Sequence, residues 1–306
     1  MERLLRRYGA VLTGGFIALT AFWLLVLVIL PNFTMLESSF RPYLPAVDIG
    51  GAKDVYSFKN YLTIFGTPFG TSLFGVKFTI PLRILIFVST ILYSALVTVI
   101  TFILAYPVAY YLAKIVSPKS LPTLFLLLFV PLWVSEILRA FAWWIIFTFN
   151  GPLNALLLGL HIIDTPVRWL GYNSVVVGLV YTYVLFMVFP LYNAIQSLDS
   201  NQIEAAEDLG SPWWRTHWRV ILPHSKPGIA SGGVTVFMLC AGSILVPTIL
   251  GGTSVQWFTQ TIQSWMLEAL DWNSGAAYAF ILLTLSIVFV FGMMRVFGVK
   301  LSDIAK

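Results

Sequence analysis

The chain contains uncharged apolar stretches that are longer than a membrane-spanning helix requires. Ile84–Ala113 and Trp169–Leu198 each run for 30 residues without an Asp, Glu, Lys or Arg. About 20 mainly apolar residues suffice to cross a bilayer as a helix. Charged residues make up only 10% of the 306 residues, against roughly 25% in soluble domains. Too few charges remain to cover the surface of a soluble enzyme, so the sequence predicts a membrane protein.

Six mainly apolar segments, including these two, predict an all-α membrane protein. The membrane domain is predicted at residues 9–298, between a cytoplasmic N-terminus at 1–8 and a cytoplasmic tail at 299–306. Its six transmembrane helices are predicted at about residues 9–30, 84–113, 121–149, 172–197, 227–250 and 274–296. A signal peptide would also start with basic residues, but no small-residue cleavage site follows the first segment. That segment is therefore predicted to be a retained helix.

The placement of Lys and Arg predicts the orientation in the membrane. If the N-terminus is inside, the inside segments carry 11 of the 18 basic residues, which are Arg3, Arg6, Arg7, Lys114, Lys119, Arg215, Arg219, Lys226, Arg295, Lys300 and Lys306. The outside loops carry Arg41, Lys53, Lys59, Lys77, Arg83 and Arg168. Because basic residues favour the cytoplasmic side, both ends are predicted to be cytoplasmic, in an inner-membrane, multi-pass protein.

Several function classes lack their sequence features. Lys and Arg form no stripe, which argues against nucleic-acid binding. No Gly-x-x-x-x-Gly-Lys-Ser/Thr phosphate loop occurs, so the chain is not expected to bind ATP itself or to hold any cofactor. The three histidines, His161, His217 and His224, make no metal-ligand pattern. The sequence therefore does not predict an enzyme.

The longest inside segment, residues 199–226, carries dense helix signals. Asn201 is predicted to cap a helix, with Glu204 reaching back to it. Gly210 is expected to end that helix in the left-handed conformation. Ser211 and Pro212 are then expected to start a second helix, with Pro212 at its first position. The segment is predicted to be two short helices joined at a sharp turn, either a rigid lever for a partner protein or an ordinary amphipathic surface loop.

This segment resembles the signature of ABC importer permeases. The matching residues are Glu204-Ala205-Ala206, Gly210, Val220 and Leu222-Pro223, with Val220 in place of the usual isoleucine. The resemblance implies that the first short helix is a coupling helix that docks in a groove of an ATPase subunit. It also implies four kinds of partner: an ATPase dimer that binds the ATP, a second permease subunit expected to form a heterodimer, an external solute-binding protein and the lipid bilayer.

A finer resemblance, to spermidine/putrescine-type permeases, covers most of the chain. It rests on Asn60-Tyr61, Tyr106–Ala113, Val130–Trp133 with Ile137-Leu138-Arg139, Asp164-Thr165-Pro166, and Asp271-Trp272 with Gly275-Ala276-Ala277. The resemblance implies a type I ABC importer fold that moves a small organic solute inward by alternating access, with a polyamine such as spermidine or putrescine as the candidate.

Two rival functions stay open at this point. A secondary transporter without an ATPase partner would predict internal inverted repeats, which the sequence does not display. It would also leave the two-helix segment at 199–226 without a purpose. A membrane-embedded enzyme would show clustered acid, base or metal-binding residues at one interface.

Glu136 and Arg139 are the charges inside a predicted membrane helix. They lie three positions apart and so share one helix face. A charge at the bilayer centre costs about 2.5–3.5 kcal/mol on insertion scales, so both should face a partner, a cavity or water. Together with Trp133, they are predicted to line the translocation pathway. The alternatives are a mutually neutralising structural pair, or an interfacial position where Arg139 extends to the membrane surface.

Overall fold

The structure, a computed structural model, describes residues 2–45, 48, 50–66, 68–73, 76–253 and 255–299. Lys300 and Lys306, and all of the predicted tail except Val299, lie outside the described residues. The described residues divide into two compact units. The first lies within Met1–Pro81 and Ile262–Leu283, and the second within Leu82–Thr261 and Thr284–Lys306.

The first unit starts with a long apolar helix. Helix α1 spans Glu2–Leu24 with a kink at Gly9, whose φ is +77°, a π-helical turn follows at Leu25–Ile29, and α2 spans Leu30–Phe40. The predicted first segment ends at residue 30, whereas the helix continues to Phe40. Pro31 lacks the N–H that would bond to the carbonyl four residues earlier. We attribute the π turn to this missing donor, since a wider turn carries the chain past it without ending the helix.

The segment after α2 is held by polar side chains. The Arg41 guanidinium contacts the carboxylates of Glu37 at 2.6 Å and Asp54 at 3.2 Å. The buried Asn60, in α3 (Lys59–Leu62), donates to the Arg41 carbonyl at 2.7 Å. Asn273 donates to the same carbonyl at 2.8 Å. Arg41 therefore stabilises the segment through hydrogen bonds to its backbone carbonyl as well as through ion pairs of its side chain.

Residues 68–81 contain an antiparallel hairpin that the all-α prediction missed. Strand β1 spans Pro68–Leu73 and β2 spans Val76–Pro81, and a 3-10 turn at Thr63–Phe65 precedes them. Both strand sequences contain β-branched and aromatic residues, which favour strands. The hairpin lies in the long connection between the first two predicted spans, so the all-α class still describes the membrane helices.

The second unit holds most of the helices. Its elements are α4 (Leu82–Tyr110) with a π turn at Tyr111–Ile115, α5 (Leu121–Trp133), α6 (Glu136–Phe147), α7 (Pro152–Gly159), α8 (Tyr172–Gln196), α9 (Ser200–Asp208), α10 (Trp213–Thr216) with a π turn at His217–Ile221, α11 (Leu222–His224), α12 (Lys226–Ala241) and α13 (Leu245–Leu250). Two further helices have residues in both units, α14 (Phe258–Gln263) and α15 (Trp272–Phe297). The π turn between them, at Ser264–Glu268, belongs to the first unit.

Three helices form the core of the second unit. Helix α8 packs against α4 and α12, and α12 also packs against α4. Small residues allow this close approach, which is the usual basis of helix packing in lipid. Gly228 and Gly232 of α12 lie against the α8 backbone and the Met187 side chain.

The predicted third segment, 121–149, is interrupted. Helix α5 ends at Trp133 and α6 begins at Glu136, while Val134 and Ser135 have extended backbone conformations. Pro131 removes a backbone donor from the last turn of α5. Glu136 then stabilises a new helix N-terminus through the helix dipole. The single predicted helix is therefore corrected to two.

The predicted fifth segment, 227–250, is also interrupted. Helix α12 ends at Ala241 and α13 begins at Leu245. Pro247 has no N–H to offer the Ser243 carbonyl, four residues earlier. The Thr259 hydroxyl donates to that carbonyl instead, at 2.6 Å. The carbonyl freed at the break is therefore hydrogen-bonded within the protein.

By length and composition, five helical segments of the described chain could cross a membrane. They are Val11–Phe40, Leu82–Ile115, Glu136–Gly159, Tyr172–Gln196 and Trp272–Phe297. Two apolar helices are shorter, α5 and α12. Both short helices end at the breaks described above, so each predicted span that contains one of them is discontinuous.

Replacing Gly228 by alanine tests the α8–α12 packing. A Cβ at this position would lie 2.5 Å from the Pro190 carbonyl oxygen and 2.6 Å from the Ala194 Cβ. Overpacking of this kind costs about 1–3 kcal/mol, so we expect Gly228→Ala to lower thermal stability in detergent. Gly292→Ala in α15 is the control, because no atom lies within 4 Å of its Cβ position. Equal stability of the two variants would contradict this packing.

Candidate functional site

Helix α9 is capped by a different residue from the one the sequence predicts. The Asp199 carboxylate accepts a hydrogen bond from the Asn201 N–H at 3.0 Å, and the helix begins at Ser200. The prediction that Asn201 is the cap is therefore wrong. Asp199 has an extended backbone and a short acceptor side chain, which already satisfies the second free N–H of the helix.

The end of α9 has the geometry predicted for Gly210. Its φ is +74°, in the left-handed region, which confirms that expectation. The Gly210 N–H donates to the Glu207 carbonyl at 2.8 Å, and the Ser211 N–H donates to the Ala206 carbonyl at 3.0 Å. These two bonds form the glycine-dependent helix ending that pairs the last free carbonyls. The direction of the chain after α9 is therefore set by backbone bonds.

The predicted coupling residues present a small, exposed surface. Glu204, Ala205 and Gly210 are exposed, and Ala206 is half-buried. The neighbouring Leu209 side chain is 89% exposed. The compact alanine surface is thus accessible next to a projecting leucine.

The second half of the segment begins one residue later than predicted. Pro212 precedes α10 as an extended cap residue and is not its first helical residue. The Ser211 hydroxyl contacts the Thr216 hydroxyl at 3.2 Å. Helix α9 packs against α10 and against the π turn at His217–Ile221. The two helices and their turn therefore form one folded segment.

The Leu222-Pro223 pair lies where this segment returns to the core. Leu222 is half-buried and packs against the core, and Pro223 is exposed. Ile221, one residue before them, is fully buried. The segment is therefore anchored by apolar contacts at its end.

The charges in the membrane region lie beside the break between α5 and α6. Glu136 is the first residue of α6, and its carboxylate accepts a hydrogen bond from the Tyr183 hydroxyl at 3.1 Å. The Arg139 Nη1 lies 3.5 Å from the Thr182 carbonyl oxygen. No ion pair joins Glu136 to Arg139 in the described structure. Each of the two charges instead contacts a separate group of α8.

Trp133 is the last residue of α5, directly before the break, and its side chain is 73% exposed. The sequence analysis missed Tyr183, a buried residue of α8 whose hydroxyl donates to the Glu136 carboxylate. An uncharged tyrosine inside an uninterrupted apolar segment gives no sequence signal for such a role.

The site therefore combines two helix breaks with one continuous helix. Helix α6, which begins after the first break, packs against α13, which begins after the second, and both pack against α8. Non-helical backbone at membrane depth is tolerated where protein buries it or where it lines a water-filled cavity. Among the described residues, no three His, Cys, Asp or Glu side chains are grouped to hold a metal ion.

Comparison with known protein families gives a match to about two thirds of the chain. Residues 103–300 match the family described as "Binding-protein-dependent transport system inner membrane component". The spermidine/putrescine transport system permease protein PotB of Salmonella typhimurium (strain SL1344) is 32% identical over 287 residues, which cover 92% of this chain and 94% of that protein. The protein of the same name from Escherichia coli (strain K12) is 33% identical over 267 residues, covering 87% and 90%.

Solved structures share the fold at low sequence identity. A chain in the crystal structure of a bacterial alginate ABC transporter, in complex with an alginate pentasaccharide-bound periplasmic protein, aligns with a TM-score of 0.70 at 17% identity. The alignment covers 98% of this chain and 99% of that one. A second alginate-importer structure aligns with a TM-score of 0.67 at 15% identity. The fold predicted from the sequence is thereby confirmed.

Proposed function

The chain belongs to the family of binding-protein-dependent transport system inner membrane components, and on this premise we propose its solute, its route for the solute and its link to ATP hydrolysis. It is a membrane permease subunit of an ABC importer and not an enzyme. Its location is the inner membrane, and the family implies an ATPase and a solute-binding protein as partners. The secondary-transporter alternative is not favoured.

The proposed solute is a polyamine such as spermidine or putrescine. The observation that carries this proposal is the identity of 32–33% to spermidine/putrescine permeases over about nine-tenths of the chain. The carboxylate of Glu136 at the helix breaks supports it, because a carboxylate attracts an ammonium group. Solute choice also depends on the partner binding protein.

The proposed assembly is a pair of different permease chains on an ATPase dimer, with both ends of this chain in the cytoplasm. The placement of Lys and Arg supports the orientation. The apolar side chains exposed between Val11 and Leu30, from α1 to the start of α2, support contact with lipid or with the second chain. The proposal needs no cofactor in this chain, since the ATPase partners bind the ATP.

Uptake by the complete transporter tests the proposed solute. We expect the chain, co-expressed with its ATPase, second permease and solute-binding protein and reconstituted in liposomes, to import radiolabelled spermidine only when ATP is supplied on the ATPase side. Omitting the binding protein or using a non-hydrolysable ATP analogue provides the control. Binding-protein-stimulated ATP hydrolysis without spermidine or putrescine uptake would contradict a polyamine solute.

The proposed link to ATP hydrolysis is the segment from α9 to α11. Glu204, Ala205 and Ala206 form the docking surface for the ATPase, and Gly210 sets the angle between the two short helices. Leu222 and Pro223 fix the other end of the segment to the core. The exposure of the alanine surface and the bonded helix ending support this role.

Substitution of Gly210 tests this link. No atom lies within 4 Å of a Cβ built there, so a substitution acts through the backbone and not through a clash. Val in the left-handed region costs about 1–2 kcal/mol, whereas Asn tolerates it. We expect Gly210→Val to assemble but to lose stimulation of ATP hydrolysis by the binding protein by about fivefold.

Gly210→Asn should keep near-normal stimulation, since it retains the left-handed conformation. The measurement is the ATPase rate of each purified transporter with and without its loaded binding protein. Normal stimulation in Gly210→Val would contradict the role of this helix ending.

The proposed pathway passes Glu136, Arg139 and Trp133 at the helix breaks. Glu136 is the attractive group for a cation. Arg139 acts as a brace or a gate, and its Nε is buried and makes no hydrogen bond within the described part of the chain. Discontinuous helices commonly form the solute sites of transporters, which supports this placement.

The Glu136→Gln variant tests the pathway. The Gln side-chain oxygen can still accept the Tyr183 hydrogen bond, so folding should be retained while the charge is lost. Because hydrogen bonds to charged groups contribute about 1.5–3 kcal/mol, we expect spermidine uptake to fall by about tenfold or more at subsaturating solute. Glu268→Gln, at an exposed position, is the matched control. Uptake equal to the control would show that Glu136 does not contact the solute.

A further inference from the structure

His217 joins the coupling segment to a helix that is remote in sequence. It lies in the π turn after α10, and its Nδ1 is 2.7 Å from the Tyr106 hydroxyl oxygen of α4. The two residues are 111 positions apart. In the sequence, the coupling segment connects α8 to α12, so it has no direct chain connection to α4. This contact therefore gives movement of the segment a direct route to α4, in addition to the route through α8 and α12.

Aromatic rings enclose the imidazole. The Tyr110 ring lies edge-on to it at a centroid distance of 4.5 Å, and the Trp213 ring of α10 does so at 5.6 Å. His217 and Tyr106 are both half-buried. Burial lowers the pKa of the His217 imidazole, which favours the neutral ring with one donor and one acceptor nitrogen. The hydrogen bond is thus partly shielded from water.

The end of α4 also contacts the start of the coupling segment. Tyr106 and Tyr110 lie one turn apart on α4, and Lys114 lies in the π turn that follows. The Lys114 ammonium donates to the Leu198 carbonyl, directly before the α9 cap Asp199. The coupling segment is therefore attached to the end of α4 at its beginning and again at His217.

We propose that the Tyr106–His217 hydrogen bond transmits movement of the coupling segment to α4, so that His217 is a positioning residue for transport. The proposal rests on the proposed coupling role of α9. The covalent ends of the segment carry movement to α8 and α12, which form the core with α4. The His217 contact lets all three core helices move with the ATPase.

The test uses the complete transporter in liposomes and the loop's second histidine as its control. His217→Leu removes the bond and keeps the bulk, and Tyr106→Phe removes the other partner. In His217→Asn the amide oxygen can occupy the position of Nδ1. His224→Leu is the matched control, because His224 is exposed and contacts only the Ser197 hydroxyl, at 3.1 Å, among its described hydrogen bonds.

The readout is the stimulation of ATP hydrolysis by the solute-binding protein, used as purified, together with spermidine imported per ATP hydrolysed. We expect His217→Leu and Tyr106→Phe each to reduce stimulation by about fivefold, the effect of about 1 kcal/mol. The double variant should be no worse than either single one. His217→Asn should restore stimulation to within about twofold of the parent, and His224→Leu should match the parent.

Three outcomes would overturn the proposal: normal stimulation in His217→Leu, additive losses in the double variant, or a loss in His217→Asn equal to that in His217→Leu. The last two would indicate general destabilisation of the segment. Gly210→Val separates this proposal from the one on which it rests. If Gly210→Val loses stimulation and His217→Leu does not, only the α4 link fails. If both keep it, the coupling role of α9 fails as well.

Discussion

The carbonyl groups freed where a membrane helix breaks must find donors inside the protein, because lipid offers none. At the break after α12 this requirement is met by the segment that precedes and begins α14. Thr259 donates to the Ser243 carbonyl at 2.6 Å, and the Trp257 indole donates to the Cys240 carbonyl at 3.0 Å. Both donors are buried. These two bonds stabilise the break between α12 and α13. The packing of α13 and α6 against α8, and with it the position of Glu136, depends on this break.

Part of this architecture could be predicted from the sequence because its cause is local. Long uncharged runs predict membrane helices, since the cost of placing a charge in lipid does not depend on the neighbours. The left-handed Gly210 was predictable for the same reason, because a helix ending of this type needs only its own backbone. The spacing of Glu204, Ala205, Ala206, Gly210 and the Leu-Pro pair was sufficient to indicate the family.

The remaining features depend on contacts that sequence spacing does not contain. Pro31 does not end the first helix, whereas Pro131 and Pro247 lie next to breaks, so proline alone does not decide. At Pro247 another residue supplies the missing hydrogen bond, since the Thr259 hydroxyl reaches the Ser243 carbonyl from 16 positions away. The cap of α9 was misassigned because Asp199 and Asn201 are both good caps. Tyr183 was overlooked because it is uncharged and lies within an uninterrupted helix.

The separate anchoring of Glu136 and Arg139 bears on how a membrane helix keeps two opposite charges. A direct ion pair would neutralise both and leave neither available to a solute. Here the Tyr183 hydroxyl occupies one carboxylate oxygen, and the Thr182 carbonyl lies near one guanidinium nitrogen. Both α8 groups are polar but uncharged, so they orient the two charges without cancelling them. Thr182 and Tyr183 are consecutive residues of α8, and they contact the two charged side chains in the first turn of α6. A shift of α6 along α8 would change both contacts together, which links the exposure of the two charges to one movement.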